Sequence, residues 1–199
     1  MGTRASLEDV RRALLVLRPA SGGQEPDERK AAVAAILREG AAGVELLFIH
    51  RAEHRHDPWS GHMAFPGGRV ELEDAEPLAA ALRETREELK LDLERDATLL
   101  GTLPEVHTHL RRGPGAMLVV PFVFEVRGEP ALVPNREVQE AVWVPLSFLL
   151  DRANRGDFLW NGRGFPLLMP CYRYEGRLIW GLTLTMLDPL LDALNELGG

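Results

Sequence analysis

The sequence has little cysteine, no long apolar run and a deficit of positive charge, and each shortage argues against a class of protein. Its single cysteine, Cys171, cannot form an intrachain disulfide. No apolar run reaches the length of about 18 residues that a membrane-spanning helix requires. A formal net charge of −7, from 30 acidic and 23 basic residues, argues against general nucleic-acid binding, which depends on basic surface. We therefore expect no membrane role and no nucleic-acid partner.

The remaining composition is typical of a small globular protein. With 199 residues, 45% of them hydrophobic and 27% charged, the chain can bury a substantial core, so we expect one domain over residues 1–199. The first ten residues, MGTRASLEDV, lack the basic and then apolar segments of a signal peptide. We therefore predict a cytoplasmic protein.

The spacing of apolar and turn residues predicts helices and strands in one α/β fold. Ser6 is predicted to cap a short amphipathic helix at about residues 6–18. Two apolar runs, AAVAAIL and VELLFIH, flank the sequence REGAAG and predict a β-hairpin. Further strands are predicted at 98–103, 117–126 and 141–144, and a second amphipathic helix at 184–197. This order favours a mixed β-sheet with helices on its faces.

The segment richest in chemistry covers residues 65–91, FPGGRVELEDAEPLAAALRETREELKL. A helix over 77–89 is predicted by one stripe of residues at helical spacing: Leu78, Leu82, Thr85 and Leu89. Glu84, Glu87 and Glu88 cluster on a different side of this helix. Glu84 and Glu88 are like charges one turn apart, an arrangement that costs roughly 0.2–0.5 kcal/mol in an isolated helix.

A divalent cation would turn this repulsion into coordination. Mg²⁺ and Mn²⁺ prefer oxygen ligands, and Mg²⁺ usually keeps several waters for substrate phosphates. Gly67 and Gly68, just before the helix, allow the backbone to approach a metal or phosphate without a Cβ in the way. The alternative is a solvated acidic helix face. We favour the interpretation of a metal site.

The same segment resembles the Nudix signature, G-x5-E-x7-R-E-U-x-E-E-x-G-U, in which U is an aliphatic residue. The core REUxEE corresponds to residues 83–88, RETREE. Thr85 takes the aliphatic position, Lys90 takes the glycine position, and one additional residue separates Gly68 from Arg83. The resemblance implies a Nudix-type α/β/α sandwich with a mixed β-sheet.

The resemblance also implies roles for individual residues and a cofactor. Mg²⁺ or Mn²⁺ would be bound by Glu84, Glu87 and Glu88, with help from the Gly68 carbonyl, and Arg83 would orient a glutamate. Related Nudix enzymes often recruit a loop glutamate as an extra ligand or as the base. Glu137 and Glu140 occupy a predicted loop before the 141–144 strand and are the candidates for that role.

The longer spacing resembles the Nudix branch that includes coenzyme A pyrophosphatases, in which an aspartate precedes the signature arginine by nine residues. That position is Asp74 here. The blocks LLFIHRA, GHMAFPGG and IWGLT resemble segments of the same branch, and imply that Arg51 binds substrate. The intervening HRHDPWS departs from the leucine-arginine-x-histidine spacing of the coenzyme A enzymes. Arg111 and Arg112, in a predicted loop, are further candidates for binding phosphate oxygens.

The implied reaction is hydrolysis of a diphosphate bond in a nucleoside diphosphate derivative, first of all coenzyme A or its derivatives. ADP-ribose or another nucleoside diphosphate derivative is the alternative substrate. A non-catalytic, nucleotide-sensing Nudix-like module is the alternative of a different class, although such modules usually lose one or more glutamates and this chain retains all three. A homodimer is left open. The tryptophans could stack a base or fill a core: Trp59, Trp143, Trp160 and Trp180.

Overall fold

The computed structural model describes residues 5–17, 29–41, 43–52, 61–108, 117–161 and 166–198. This part of the chain forms the helices α1 (Leu7–Val16), α2 (Pro77–Leu89), α3 (Leu93–Asp96), α4 (Leu146–Leu150) and α5 (Gly181–Leu197). Its strands are β1 (Lys30–Gly40), β2 (Gly43–Arg51), β3 (Met63–Ala64), β4 (Gly67–Arg69), β5 (Ala97–Thr102), β6 (Val106–His107), β7 (Leu118–Val126), β8 (Val138–Pro145), β9 (Arg155–Trp160), β10 (Leu167–Tyr174) and β11 (Arg177–Trp180). None of the described helices combines the length and the apolar character needed to cross a bilayer.

Strand β1 lies at the centre of an eight-stranded mixed sheet. One edge of β1 pairs in parallel with β7, from Lys30 opposite Leu118 to Leu37 opposite Glu125. The other edge pairs with two antiparallel strands in turn, β4 near its start and β2 near its end. Strands β3 and β8 pair with β2, while β5 and β6 pair with β7. The predicted mixed sheet is therefore confirmed.

Two apolar clusters cover the two faces of this sheet. One joins Phe48 of β2 to residues of α1, α4 and α5, such as Leu187. The other joins Leu47 of β2 to residues of α2 and α3, such as Leu89. Neighbouring residues of one strand point to opposite faces, so both faces are buried under helices. This arrangement confirms the α/β/α sandwich.

Most predicted elements are found within a few residues of their expected ends. Ser6 caps α1 through a capping box with Asp9, and the helix ends at Val16. The hairpin of β1 and β2 is present, as are the strands predicted from the three later apolar runs. Helix α5 begins at Gly181 rather than at Leu184. Strand β8 begins at Val138 rather than at Ala141, so the prediction that Glu140 lies in a loop is wrong.

A second, three-stranded antiparallel sheet consists of β9, β10 and β11. The sequence did not predict β9 and β10, since Gly156 and Pro170 interrupt their apolar runs and residues of both strands are exposed. Tyr172 and Ile179 attach this sheet to the cluster beneath α5. It extends the core beyond the eight-stranded sheet.

Candidate functional site

Strand β4 places two glycines where side chains cannot fit. Gly67 has a φ of +146°, and a Cβ built on it would lie 2.3 Å from the carbonyl oxygen of Ala32. A Cβ on Gly68 would lie 2.3 Å from Oε1 of Glu84. Both distances are far shorter than a van der Waals contact. The glycine pair therefore lets β4 pair with β1 while the Glu84 carboxylate lies directly against the backbone.

Glu88 is buried next to this turn, with only 4% of its surface exposed. Its carboxylate accepts a hydrogen bond from the backbone N–H of Gly67 at 2.9 Å. Burial raises the pKa of Glu88 to about 8, and the negative charges of Glu84 and Glu137 add to this rise. The hydrogen bond from Gly67 and the positive charge of Arg51 oppose it. The sequence placed Glu88 off the apolar stripe of α2, but it did not reveal this burial.

The other two glutamates of α2 have different environments. The Glu84 side chain is 18% exposed and that of Glu87 is 57% exposed. Burial raises the pKa of Glu84, an effect that the Arg83 guanidinium opposes and the Glu87 charge reinforces. One helix thus presents a buried, a half-buried and an exposed carboxylate side by side.

The Arg83 side chain links the turn before α2 to the Glu84 carboxylate. Its Nη1 donates to Glu84 at 3.0 Å and lies 3.6 Å from a carboxylate oxygen of Glu87. Its Nε and Nη2 donate to the two carboxylate oxygens of Asp74 at 3.1 and 2.9 Å. These contacts are the geometry that an orienting role for Arg83 requires.

Asp74 holds Arg83 from the turn that precedes α2. Its side chain is 5% exposed and also accepts a hydrogen bond from the Glu71 N–H at 2.8 Å. The hydrogen bonds from Arg83 lower the pKa of Asp74, which keeps the carboxylate ionised. The sequence left Asp74 without a defined role; the only signal for it was its spacing from Arg83.

Glu137 lies in the turn before β8, close to Glu88. Its backbone carbonyl accepts a hydrogen bond from Ala52 at 2.8 Å, which ties the turn to the end of β2. The backbone N–H of Asn135 donates to the Glu88 carbonyl at 2.8 Å, so the same segment is fixed to the end of α2. The negative charge of Glu137 contributes to the raised pKa of Glu88.

The structure does not bring Glu140 to the glutamates of α2. Glu140 is opposite His50 in the pairing of β8 with β2, and a bulge after His50 shifts the register. Ile49 and Ala141, one position away, face α2, so alternation directs Glu140 to the opposite face. There Arg177 donates to both Glu140 oxygens at 2.6 and 2.8 Å, and these bonds lower the pKa of Glu140. Glu140 was predicted as an extra metal ligand or base, and the structure instead places it in an ion pair with Arg177.

Of the predicted substrate-binding residues, the structure describes Arg51. It ends β2, and its charge lowers the pKa of Glu88, which places the guanidinium near that carboxylate. Arg111 and Arg112 lie outside the described residues, as does Trp59. Trp143 packs in the cluster beneath α2, and Trp160 contacts Trp180, whose surface is 9% exposed. These three tryptophans pack against other side chains.

The carboxylates around Glu88 fit a divalent cation by their chemistry. Within the described ranges, no three acidic, histidine or cysteine side chains already surround one point as metal ligands would. However, Glu84 and Glu137 each disfavour ionisation of Glu88, and Glu87 disfavours that of Glu84. A bound cation relieves such repulsion, and an all-oxygen set of donors suits Mg²⁺ or Mn²⁺.

Comparison with known proteins gives matches that extend over most of the chain. The family model described as NUDIX domain matches residues 28–160. An uncharacterized Nudix hydrolase NudL of Citrobacter koseri is 30% identical over 185 residues, which cover 89% of this chain and 89% of that protein. The mitochondrial coenzyme A diphosphatase NUDT8 of Homo sapiens is 31% identical over 153 residues, which cover 75% of this chain and 62% of that protein.

A further relative and a solved structure are also similar to this chain. An uncharacterized protein of Schizosaccharomyces pombe is 39% identical over 108 residues, which cover 53% of this chain and 33% of that protein. The chain therefore spans less than two thirds of the length of this relative and of the human relative. Among solved structures, a MutT/nudix family protein from Enterococcus faecalis has a TM-score of 0.56 at 16% identity. The match covers 97% of this chain and 74% of that chain, and it supports the fold. The chain belongs to the Nudix hydrolase family.

Proposed function

We propose that the protein hydrolyses a diphosphate bond in a nucleoside diphosphate derivative with the aid of Mg²⁺ or Mn²⁺. The observation that carries the proposal is the group of mutually repelling carboxylates around the buried Glu88. Glu84, Glu87 and Glu88 would hold the cation, together with the Gly68 carbonyl. When bound, the cation neutralises diphosphate oxygens and lowers the pKa of a water.

The residues around the cation have separable tasks in this proposal. Arg83, fixed by Asp74, holds Glu84 in place. Arg51 is near Glu88 and would donate to a diphosphate oxygen of the substrate. Glu137 is exposed and lies outside α2, and its charge acts on Glu88, so we assign it the role of accepting the proton from the attacking water.

Coenzyme A or one of its derivatives is the proposed substrate. The support is the human relative, a coenzyme A diphosphatase, together with the residues that resemble the coenzyme A branch. ADP-ribose or another nucleoside diphosphate derivative is the second candidate. A cytoplasmic location, a homodimer, and phosphate binding by Arg111 and Arg112 stay predictions from the sequence.

A substrate panel tests the proposal. It contains coenzyme A, dephospho-coenzyme A, ADP-ribose, NADH, diadenosine polyphosphates and nucleoside triphosphates, each with Mg²⁺ or Mn²⁺. We expect coenzyme A to yield 3′,5′-ADP and a phosphopantetheine. Glu87→Gln should remove most of the activity, while Glu94→Gln, the same change on an exposed residue of α3, should not.

The possible outcomes separate the candidate functions. Faster hydrolysis of ADP-ribose than of coenzyme A would move the assignment to the second candidate. Cation binding without hydrolysis of any compound in the panel would support a nucleotide-sensing module. Full activity in Glu87→Gln would contradict the assignment of this glutamate as a metal ligand.

A further inference from the structure

A cavity of about 650 Å³ lies at the end of α2, beyond the last glutamate of the signature. Its basic lining residues are Lys90, Arg95 and Arg127, and its one acidic lining residue is Asp96. The remaining lining is apolar: Leu91, Ala97, Pro130, Ala131 and Val133. A volume of this size is within the range of small-molecule sites. The lining therefore combines positive charge with apolar surface.

Two of the three cations have no partner among the described residues. Arg95 donates to both oxygens of Asp96 at 2.7 Å, so these two charges compensate each other. Neither Lys90 nor Arg127 makes a side-chain hydrogen bond or ion pair with the described part of the chain. Three basic residues and one acidic residue give the lining of the cavity a formal charge of +2, in a chain whose net charge is −7.

Lys90 is held in a backbone conformation that favours glycine. It follows the last residue of α2 with φ +57° and ψ +20°, the left-handed conformation of a helix C-cap. The signature has glycine at this position, where glycine has no steric penalty. A lysine therefore keeps its positive charge at this place at the expense of backbone strain, and such strain often accompanies function.

Backbone hydrogen bonds connect one wall of the cavity to α2. Val133 donates through its backbone N–H to the Leu89 carbonyl at 2.8 Å, and Asn135 donates to that of Glu88 at 2.8 Å. These bonds fasten the segment after β7 to the end of α2.

We propose that this cavity is an accessory binding site for a phosphate-bearing small molecule with an apolar or aromatic body, such as a nucleotide. Lys90 and Arg127 donate to the phosphate oxygens, and the body of the ligand lies against Leu91 and Val133. None of the α2 carboxylates lines this cavity, so ligand binding here can be tested independently of the proposed hydrolysis.

Binding of AMP, ribose 5-phosphate and inorganic phosphate, measured by calorimetry in chelator, tests the proposal. Without a cation, the carboxylates around Glu88 repel these anions. We expect AMP to bind most tightly, because only AMP has an aromatic base that can also contact the apolar lining residues. Lys90→Gly and Arg127→Ala should each weaken AMP binding roughly tenfold, the size expected for one charge-assisted contact. Lys90→Arg, which preserves the charge, should bind AMP like the wild type.

Two controls exclude trivial explanations. Arg152→Ala removes a positive charge from an exposed residue that follows α4, so it matches the change in net charge and should leave AMP binding unchanged. Lys90→Gly relieves the left-handed strain, so its melting temperature should equal or exceed that of the wild type. Lost binding in a fully folded variant then reports the site itself.

Three results would overturn the inference. One is the absence of AMP binding to the wild type at millimolar concentration. Another is wild-type affinity for AMP in both Lys90→Gly and Arg127→Ala. The third is an equal loss in Arg152→Ala, which would show that AMP responds to net charge alone.

Discussion

The two glycines of β4 have different neighbours, and this difference predicts different outcomes for the same substitution. Gly68→Ala would direct a Cβ into the Glu84 carboxylate, the movable end of a side chain. We expect a folded protein that loses roughly tenfold or more in Mg²⁺ affinity and activity, since displaced ligands typically cost that much.

Gly67→Ala would place a Cβ against the Ala32 carbonyl and the Val33 Cα, which cannot move aside. We expect it to lose roughly 2 kcal/mol or more of folding stability.

Denaturant unfolding and Mg²⁺ titration of both variants check this prediction. Gly156→Ala is the matched control, since a Cβ there meets no atom within 4 Å and should change neither quantity. If Gly68→Ala binds Mg²⁺ as tightly as the wild type, the position of the Glu84 carboxylate against Gly68 is not required for Mg²⁺ binding.

Glu88 predicts how the stability of the metal-free protein depends on pH. Its folded pKa of about 8 lies above its ordinary value of 4.5. As pH rises between these values, the unfolded chain loses this proton while the folded chain retains it. The free energy of unfolding should therefore fall over this window, by an amount on the order of a few kcal/mol, and then level off.

Chemical unfolding in chelator between about pH 4 and about pH 9 measures this slope. Glu88→Gln, which cannot ionise, should lack the contribution, whereas Glu87→Gln should keep it because Glu87 is exposed. Identical pH profiles for Glu88→Gln and the wild type would show that Glu88 is ionised in the folded state.

Glu88 also illustrates what a sequence can predict about single residues. Helical spacing correctly separated the three glutamates from the stripe of Leu78, Leu82 and Leu89. It could not distinguish their exposure, because Glu88 is covered by the turn at Gly67 rather than by its own helix. Glu140 was misplaced because β8 begins before the apolar run that predicted it, and strand alternation then directs the side chain away from α2.

At the scale of elements, the turn from Glu71 to Asp74 sets the position of Arg83 on α2. Asp74→Asn cannot accept two charge-assisted bonds from the guanidinium, so we expect a loss of roughly 2 kcal/mol in stability. Because Arg83 also holds Glu84, kcat and Mg²⁺ affinity should fall by roughly tenfold to a hundredfold. Arg83 holds the pKa of Asp74 below its ordinary value, so this stabilisation should be present above that value and be lost as pH falls.

Asp92→Asn provides the matched control for this prediction. Asp92 also pairs with an arginine of α2, Arg86, at 3.0 Å, but on the exposed side. It should lose little stability and no activity. A drop in melting temperature for Asp74→Asn without a change in Mg²⁺ affinity would reduce Asp74 to a structural role.

The elements that the sequence predicted share a clear local signal. Helix α2 was predicted from Pro77 to Leu89, its observed bounds, because a proline opens it and an apolar stripe spans it. Strands β9 and β10 carry no such signal. Gly156 and Pro170 interrupt their apolar runs, and Tyr172 packs in the cluster beneath α5, a contact that the local sequence pattern does not indicate.

For the whole molecule, cation binding should appear as added stability. Any ligand that binds only the folded state raises the free energy of unfolding by RT ln(1 + [L]/Kd), about 2.7 kcal/mol at a hundredfold excess over Kd. We expect Mg²⁺ and Mn²⁺ to raise the melting temperature of the wild type and chelator to reverse the effect. Glu84→Gln, which removes one of the assigned ligands, should show a much smaller rise.

Thermal melts at several Mg²⁺ concentrations provide the measurement, with Glu94→Gln as a control that should respond like the wild type. An equal rise for Glu84→Gln would mean that the cation acts elsewhere on this acidic protein. A response to the concentration of NaCl alone would indicate general charge screening.

The parallel pairing of β1 with β7 has a consequence for the order in which the protein is made. Lys30 pairs opposite Leu118, and the whole signature segment is translated between the two strands. The nascent chain therefore presents its glycines and glutamates before the strand that completes the centre of the sheet has left the ribosome. A fragment that ends before β7 contains every residue of the signature but lacks β7 and β8, two strands of the sheet that positions them. Such a fragment would be recognised by its sequence and would have no catalytic site.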